Sequence, residues 1–443
     1  MPESSELVIE RMVHGGQGLA RLTDGRIALV AGVIPGERVA AELTQRKGVL
    51  FGDLKRVVEP SRDRLPTPRH PGLDYGHIRY DRQLELKREV VEDALGRALR
   101  RTVGSPAVRA APTRLAYRAA VQPAVAGEGL GYRRPGSSDV VLLEDDPTAL
   151  PSVNAAWRAL IETGAPRQPG LREVAIRGND AARDDVSADD GLPSTGEALV
   201  ALIGTGSAAQ YLDLAHRLVG AGVAGVAFAP YDPRGRFRGG AERLTGRRWL
   251  LQAYGDLRLT IGATSFAQPN PSAAAVLYGE VAEWAGTGAH AVELFAGGGA
   301  IALHLAPRFE AVTALEVDRS AVDRGRRDAE RLGVRTVTFT RADARDVVIP
   351  ADADLIVVDP PRAGLAASLR DELASALRTP GRGGSASKRL IYVSCDVASW
   401  ARDVADLEAK GLELIRFEPF DFYPHTHHIE VLSLLAPRRS AEG

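Results

Sequence analysis

From Pro271 onward the sequence alternates short apolar runs with amphipathic stretches of helical period, an order that a parallel sheet flanked by helices accommodates. A helix over Ser272–Trp284 leads to a strand over Ala289–Phe295, a glycine-rich turn and a second helix. A strand over Ala311–Val317, a helix over Arg319–Leu332 and strands over Val334–Thr340 and Leu355–Asp359 follow. A helix near Leu369–Ala376, a strand over Arg389–Ser394, a helix over Ala398–Lys410 and two edge strands near Leu412–Pro419 and Ile429–Ala436 complete the series. In such sheets ligands bind at the carboxyl ends of the strands, so the residues just after each strand are the candidates for chemistry.

The first such end reads VELFAGGGAIAL over Val292–Leu303. Gly297, Gly298 and Gly299 let the backbone approach a ligand closely, and Phe295 offers the ligand an apolar face. The next strand ends on Glu316, placed to accept hydrogen bonds from both hydroxyls of a ribose. Asp343 follows the strand after that and is placed for an adenine edge. The turn lacks the GxGxxG spacing that cradles a pyrophosphate, which favours S-adenosylmethionine over a dinucleotide. A tight turn with an acid at a surface strand end is the alternative that needs no ligand.

The rest of the 443 residues holds one or two further domains. Residues 1–60 place short apolar stretches between the turns HGGQG, TDGR, VIPGE and RKG, the pattern of an OB-like β-barrel. Ser61–Gly72 reads as a linker and Asp81–Arg101 as one amphipathic helix. Residues 113–261 form a central mixed α+β domain, with strand-like runs at Tyr117–Val125, Val140–Leu143, Leu171–Arg177 and Ala198–Gly204. The polar stretch Gly178–Glu197 reads as a surface loop. Residues 262–443 form the domain of alternating helix and strand.

Net charge is −1, so a nucleic acid would have to be held by local patches. Residues 41–70 carry seven Lys or Arg against four acids, and residues 231–248 carry six Arg against two acids. An ordinary solvated surface is the competing reading of each. No apolar run is long enough for a membrane span, and MPESSELVIE lacks a signal-peptide core, so the expected location is the cytoplasm. A single cysteine excludes an internal disulfide and any cysteine-only cluster within the chain.

Four clusters fall at strand ends or in flanking loops: Ser265–Asn270, Asp359-Pro360-Pro361-Arg362, Val393-Ser394-Cys395-Asp396 and Pro424–Glu430. They suit one demanding reaction. Carbon 5 of uracil is a poor nucleophile until a thiolate adds to carbon 6 and turns the ring into an enolate. The carbon 5 proton must then leave before the thiol is eliminated. Such a site needs a reactive cysteine, a general base and donors to the uracil carbonyls. Cys395 and Glu430 fit the first two roles, and Asp359 fits a contact to the uracil edge, the cofactor or both. Against this, a lone cysteine after a strand is usually a small buried residue, and Asp-Pro-Pro is a strand stop. His425, His427 and His428 lack the i, i+4 spacing of helical metal ligands and read as a structural or RNA-facing loop.

In combination, DPPRAGL at 359–365, VSC at 393–395 and HTHHIE at 425–430 resemble the RNA uridine-5-methyltransferases, which act on tRNA or 23S ribosomal RNA. The resemblance covers nearly the whole chain. Residues 1–60 resemble the RNA-binding TRAM barrel that some members carry. It implies a Rossmann-like S-adenosylmethionine methyltransferase domain, Cys395 as nucleophile and Glu430 as base. It further implies Gln268, Phe295, Glu316 and Asp359 as S-adenosylmethionine contacts, with Asp343 nearby. The implied partner is RNA, with 23S rRNA favoured over tRNA by the TRAM likeness, and the implied state is a monomer away from membranes. Some members hold an iron–sulfur cluster on cysteines that follow the barrel. The corresponding segment here, about Arg64–Leu73, has none, so no cluster and no metal site is expected. Where members carry Asn-Pro after the cysteine, this chain has Asp396-Val397. A cytosine-5 enzyme would be expected to use two cysteines and an adenine amine enzyme Asn-Pro-Pro-Tyr. A non-catalytic RNA-binding protein would need neither Cys395 nor Glu430.

Overall fold

The computed structural model describes residues 4–180, 196–235, 237–379 and 388–438. The chain divides into two compact units, one formed by Met1–Ala111, Ala289–Leu294 and Ala344–Gly443, the other by Pro112–Gly288 and Phe295–Asp343.

The first unit opens with a closed barrel of β1 (Ser4–Val13), β2 (Gln17–Arg21), β3 (Ile27–Ala31), β4 (Arg38–Arg46) and β5 (Val49–Glu59), in the order β1-β2-β3-β5-β4. Alternate residues such as Leu7, Ile9, Ala28, Val30, Val39 and Ala41 fill its interior, and closure leaves no exposed strand edge. This is the OB-like barrel expected from the sequence. Buried Glu37 ties the barrel to the segment after it, accepting from the Ile34 N–H at 2.8 Å, the Ser61 N–H at 3.1 Å and the Arg64 guanidinium at 2.6 Å. Burial alone would raise the Glu37 carboxyl, but Arg64 and the two backbone donors outweigh it and hold it below its usual range. The stretch after β5 is therefore more than a linker: Leu65 N–H donates to the His77 carbonyl at 2.7 Å and Arg64 bridges Ile78. Helix α1 (Tyr80–Leu99) then buries Gln83, Leu86, Lys87, Val90, Val91 and Leu95 along one stripe, and a left-handed Arg100 ends it.

The second unit carries β6 (Ala120–Val121), β7 (Ala124–Ala126), β8 (Gly129–Arg133), β9 (Val140–Leu143), α2 (Pro151–Glu162), β10 (Leu171–Gly178), β11 (Ala198–Gly204), α3 (Leu212–Gly220), β12 (Gly225–Pro230) and β13 (Glu242–Gly246). Its sheet runs β13-β12-β11-β10-β7-β8-β9, with β6 also on β10. The expected strand at Tyr117–Val125 is split because Pro123, which has no N–H for a ladder bond, separates β6 from β7. Most of the loop expected at Gly178–Glu197 lies outside the described residues. A hairpin of β14 (Leu250–Tyr254) and β15 (Leu257–Ile261) leads to α4 (Pro271–Ala285), capped by the Asn270 side chain on the Ala273 N–H.

Strand β16 (Gly288–Leu294) falls in the first unit but for Gly288. The second unit ends with α5 (Ala300–Leu305), β17 (Phe309–Glu316), α6 (Arg319–Arg331) and β18 (Val337–Arg341), with β17 and β18 paired in parallel. The first unit resumes with β19 (Leu355–Val358), α7 (Ala367–Arg378), β20 (Arg389–Ser394), α8 (Val397–Ala409), β21 (Leu412–Phe420) and β22 (Glu430–Pro437). Its strands run β16-β19-β20-β22-β21, the first three parallel and β22 antiparallel to both neighbours. Of the two expected edge strands, only β21 is an outer one. β22 is inserted beside β20 and is buried on both faces over Glu430–Leu435, which is why its sequence is almost wholly apolar. Among the described residues no helix is long and apolar enough to cross a membrane.

Candidate active site

In the first unit, three of the expected residues meet at one end of the sheet. Asp359 follows the last residue of β19, and Cys395 follows the last residue of β20. The antiparallel register pairs Ser394 with Val431, so one step further brings Cys395 opposite Glu430, the first residue of β22. Strand insertion thus places the candidate base beside the candidate nucleophile.

The electrostatics follow from that placement. Burial, together with the carboxyls of Glu430 and Asp359, pushes the Cys395 thiol up to about 12, while Arg362 acts in the opposite direction. Burial raises Asp359 to about 7. Glu430 is raised well above the usual carboxyl range by burial and by Asp359, with Arg362 again opposing. Arg362, from the Asp-Pro-Pro-Arg cluster, is thus the cation that opposes both the raised thiol and the raised Glu430 carboxyl. A cavity of about 110 Å³ opens here, lined by His14, Arg362, Cys395, Asp396, His427 and His428 among others. It is well below the ~300–1,000 Å³ of a site for a drug-sized ligand, a scale suited to one ring.

The loops around the cavity are held by long-range contacts. Asp403, fully buried, accepts from Leu365 N–H at 2.7 Å, Tyr392 Oη at 2.9 Å and Arg370 at 2.9 Å, fixing the Asp-Pro-Pro-Arg turn. Gly364 in that turn has φ +75°, and a Cβ there would collide with the Asp403 carboxylate. The histidine loop is braced from α1 and the segment before it. Gln83 Oε1 accepts the His425 N–H at 2.9 Å, Tyr75 N–H donates to the His425 carbonyl at 2.9 Å, and Asp74 engages both the His427 N–H and its Nδ1. His428 is lowered to about 3 by burial, His427 and Arg362, so its imidazole is neutral at working pH. These contacts hold the loop from α1 and from the segment before it. Among the described residues no group of three metal-ligating side chains forms.

In the second unit, Glu316 closes onto the glycine turn. Its Oε2 accepts from Gly297 N–H at 2.9 Å and its Oε1 from Asp318 N–H at 2.8 Å, which leaves each oxygen a lone pair. The three glycines differ in purpose. A Cβ on Gly297 or Gly298 would meet open space, whereas one on Gly299 would strike the Phe339 ring. Gly299 therefore answers to packing, and the other two face room for a ligand. Phe295 sits at φ +62°, a strained value of the kind that gathers at functional sites. Asp343 lies one residue past Ala342, whose N–H donates to the Glu316 carbonyl, so it shares the strand end of Glu316. Gln268 is buried in the loop between β15 and α4. Two residues before it Phe266 is 75% exposed, an aromatic face that no sequence signal singles out within its cluster.

No family model matches the chain. It is nevertheless similar over its length to proteins named as RNA methyltransferases. One from Thermosynechococcus vestitus is 29% identical, with 97% of each chain covered, and one from Streptomyces avermitilis is 28% identical, with 99% of each covered. Among solved structures, a Pyrococcus abyssi tRNA (uracil-54, C5)-methyltransferase in complex with S-adenosyl-L-homocysteine superposes with a TM-score of 0.75 at 23% identity, covering 98% of this chain and all of that one. The chain therefore has the fold of the Rossmann-like methyltransferases, preceded by a barrel. It is kin, along nearly its whole length, to proteins named as RNA methyltransferases. The expected fold class and the expected family likeness are both borne out.

Proposed function

We propose that this protein methylates carbon 5 of a uridine in RNA, with S-adenosylmethionine as donor and Cys395 as covalent nucleophile. The observation that carries the reading is Cys395 opposite Glu430 across β20 and β22, with Asp359 at the neighbouring strand end. Sγ bonds carbon 6, and the electron pair of the carbon 5–carbon 6 double bond moves toward carbon 5 and O4. Arg362 is the cation that favours the thiolate. S-adenosylmethionine, when bound, would supply the electrophilic methyl group to carbon 5, the pair of its broken carbon–sulfur bond staying on the thioether sulfur of S-adenosylhomocysteine. Glu430 then takes the carbon 5 proton, and the carbon–sulfur bond breaks with its pair returning to sulfur. A carboxylate whose pKa is raised is a stronger base for that step. The neutral His428 lines the cavity, and in this reading it donates to a uracil carbonyl.

The residues fit the cofactor. Glu316 keeps an acceptor on each oxygen for the ribose hydroxyls, and Gly297 and Gly298 leave open space. Glu316→Ala should weaken S-adenosylmethionine binding by ~1.5–3 kcal/mol, the scale of charge-assisted hydrogen bonds to a ligand. Calorimetry showing unchanged affinity would mean that the ribose is held elsewhere.

RNA affinity should come from the barrel and from the arginines of residues 231–248. Not all of these are equally available: Arg234 is paired with Asp232, Arg248 stacks 4.9 Å over Trp249, and Arg236 lies outside the described residues. Replacing Arg236 and Arg238 with Ala should lower RNA affinity and flatten its dependence on salt by about one counterion for each phosphate left unneutralised. Equal slopes for variant and wild type would remove this patch from the RNA site.

The favoured target is 23S ribosomal RNA, given the barrel. The second reading is tRNA, the RNA in the name of the Pyrococcus abyssi neighbour. Measuring 5-methyluridine in 23S RNA and in tRNA, from cells with and without the gene, separates them. Loss from neither RNA would overturn the function.

A further inference from the structure

One wall of the cavity beside Cys395 comes from the N-terminal barrel. His14 stands in the turn between β1 and β2, and its Nε2 lies 3.1 Å from Oδ2 of Asp396, the residue after the cysteine. The other oxygen of Asp396 accepts the Ser399 N–H at 2.8 Å and caps α8. Burial works against the charge on Asp396, yet His14 and the Ser399 N–H hold its carboxyl well below the usual range.

The turn that carries His14 is fixed by a second contact. Gly16 has φ +79°, and a Cβ on it would lie 2.7 Å from both the His427 Cβ and Asp74 Oδ2. The hairpin is thus pressed against the histidine loop at a position that only glycine tolerates. This is closer than a module gripping distant RNA requires.

We propose that His14 is a positioning residue of the nucleotide pocket, contributed by the barrel and acting through Asp396. A uracil presents two carbonyl oxygens, which accept hydrogen bonds and are repelled by a carboxylate, on either side of a single N–H donor. Asp396 lines the cavity as an anion, and His14 occupies one of its oxygens. Without His14 that anion faces the ring that must settle against Cys395. Docking of RNA on the barrel and seating of the base at the thiol are coupled through this pair. The substrate in this argument rests on the function proposed above, whereas the contact between barrel and pocket does not.

The test uses full-length protein and RNA carrying the target uridine, and reads single-turnover methyl transfer from labelled S-adenosylmethionine at saturating RNA. His14→Ala should slow transfer about ten-fold while the Kd for RNA changes less than about two-fold, since misplacing the base costs rate rather than grip. His14→Gln, which keeps a donor, should recover to within about three-fold of wild type. Adding Asp396→Asn to His14→Ala should recover most of the loss, because an amide needs no partner to shed its charge. A His14→Ala enzyme with the wild-type rate at saturating RNA overturns the proposal. So does a loss confined to Kd, or one that Asp396→Asn does not relieve. Wild-type protein that transfers methyl to RNA without an adduct to 5-fluorouridine RNA would reject the covalent step, and the His14 comparison would still be read. Wild-type protein that methylates no RNA overturns both.

Discussion

Cys395→Ala is expected to lower methyl transfer by at least roughly 10,000-fold, the scale of removing a covalent nucleophile. RNA with 5-fluorouridine at the target should trap an adduct with the wild-type enzyme, because fluorine does not leave as a proton, and none should form with Cys395→Ala. An adduct that survives that substitution would assign the nucleophile elsewhere. Glu430→Gln should separate the later step: the methyl group should be transferred, the carbon 5 proton should stay, and the adduct should accumulate on ordinary RNA. A Glu430→Gln enzyme with normal turnover would take the base role from Glu430. The thiol, held up to about 12 by burial and two carboxyls, is almost wholly protonated near neutrality. Adduct formation should therefore accelerate as pH rises, because the thiolate is the attacking form. A rate that falls with rising pH would mean that a protonated group limits the step.

How much of this could be read from the sequence differs between parts of the molecule. The strands at Leu355–Val358 and Arg389–Ser394 were legible because buried parallel strands are short apolar runs with polar or Pro-rich ends. The barrel was legible from its turns, but β2 begins within the glycine-rich HGGQG stretch, where propensity favours a turn. Strand order was not legible at all. β22 looked like an edge because it comes last, whereas only pairing with β20 reveals that it lies inside. That insertion is also what sets Cys395 opposite Glu430, so the two residues could be named from their chemistry but not brought together from it. The same limit applies to Arg362, His14 and Asp74. Each matters through a partner far away in the sequence, and local pattern carries no trace of such pairs.

The brace behind the histidine loop should carry a large share of the stability of that loop. Lys87 and Asp421 are both fully buried, with Lys87 Nζ 2.6 Å from Asp421 Oδ1 and 3.4 Å from the Tyr423 carbonyl. Lys87 lies one helical turn beyond Gln83, which holds His425, so one face of α1 supports the loop that leads into Glu430. Two charges taken out of water repay their desolvation only while each has the other. Lys87→Met removes the cation and leaves Asp421 buried and unpaired, with Oδ2 already lacking a hydrogen-bond partner. The expected loss is ~3–5 kcal/mol of stability, the usual cost of breaking a buried pair from one side. The double variant Lys87→Met with Asp421→Leu removes both charges and should be far more stable than Lys87→Met alone. Calorimetric melting of the two variants measures the difference, and hydrogen exchange over residues 421–430 locates it. If Lys87→Met melts with wild type and exchange in the loop is unchanged, the pair contributes nothing to holding Glu430. The loop would then owe its position to Gln83, Tyr75 and Asp74 alone.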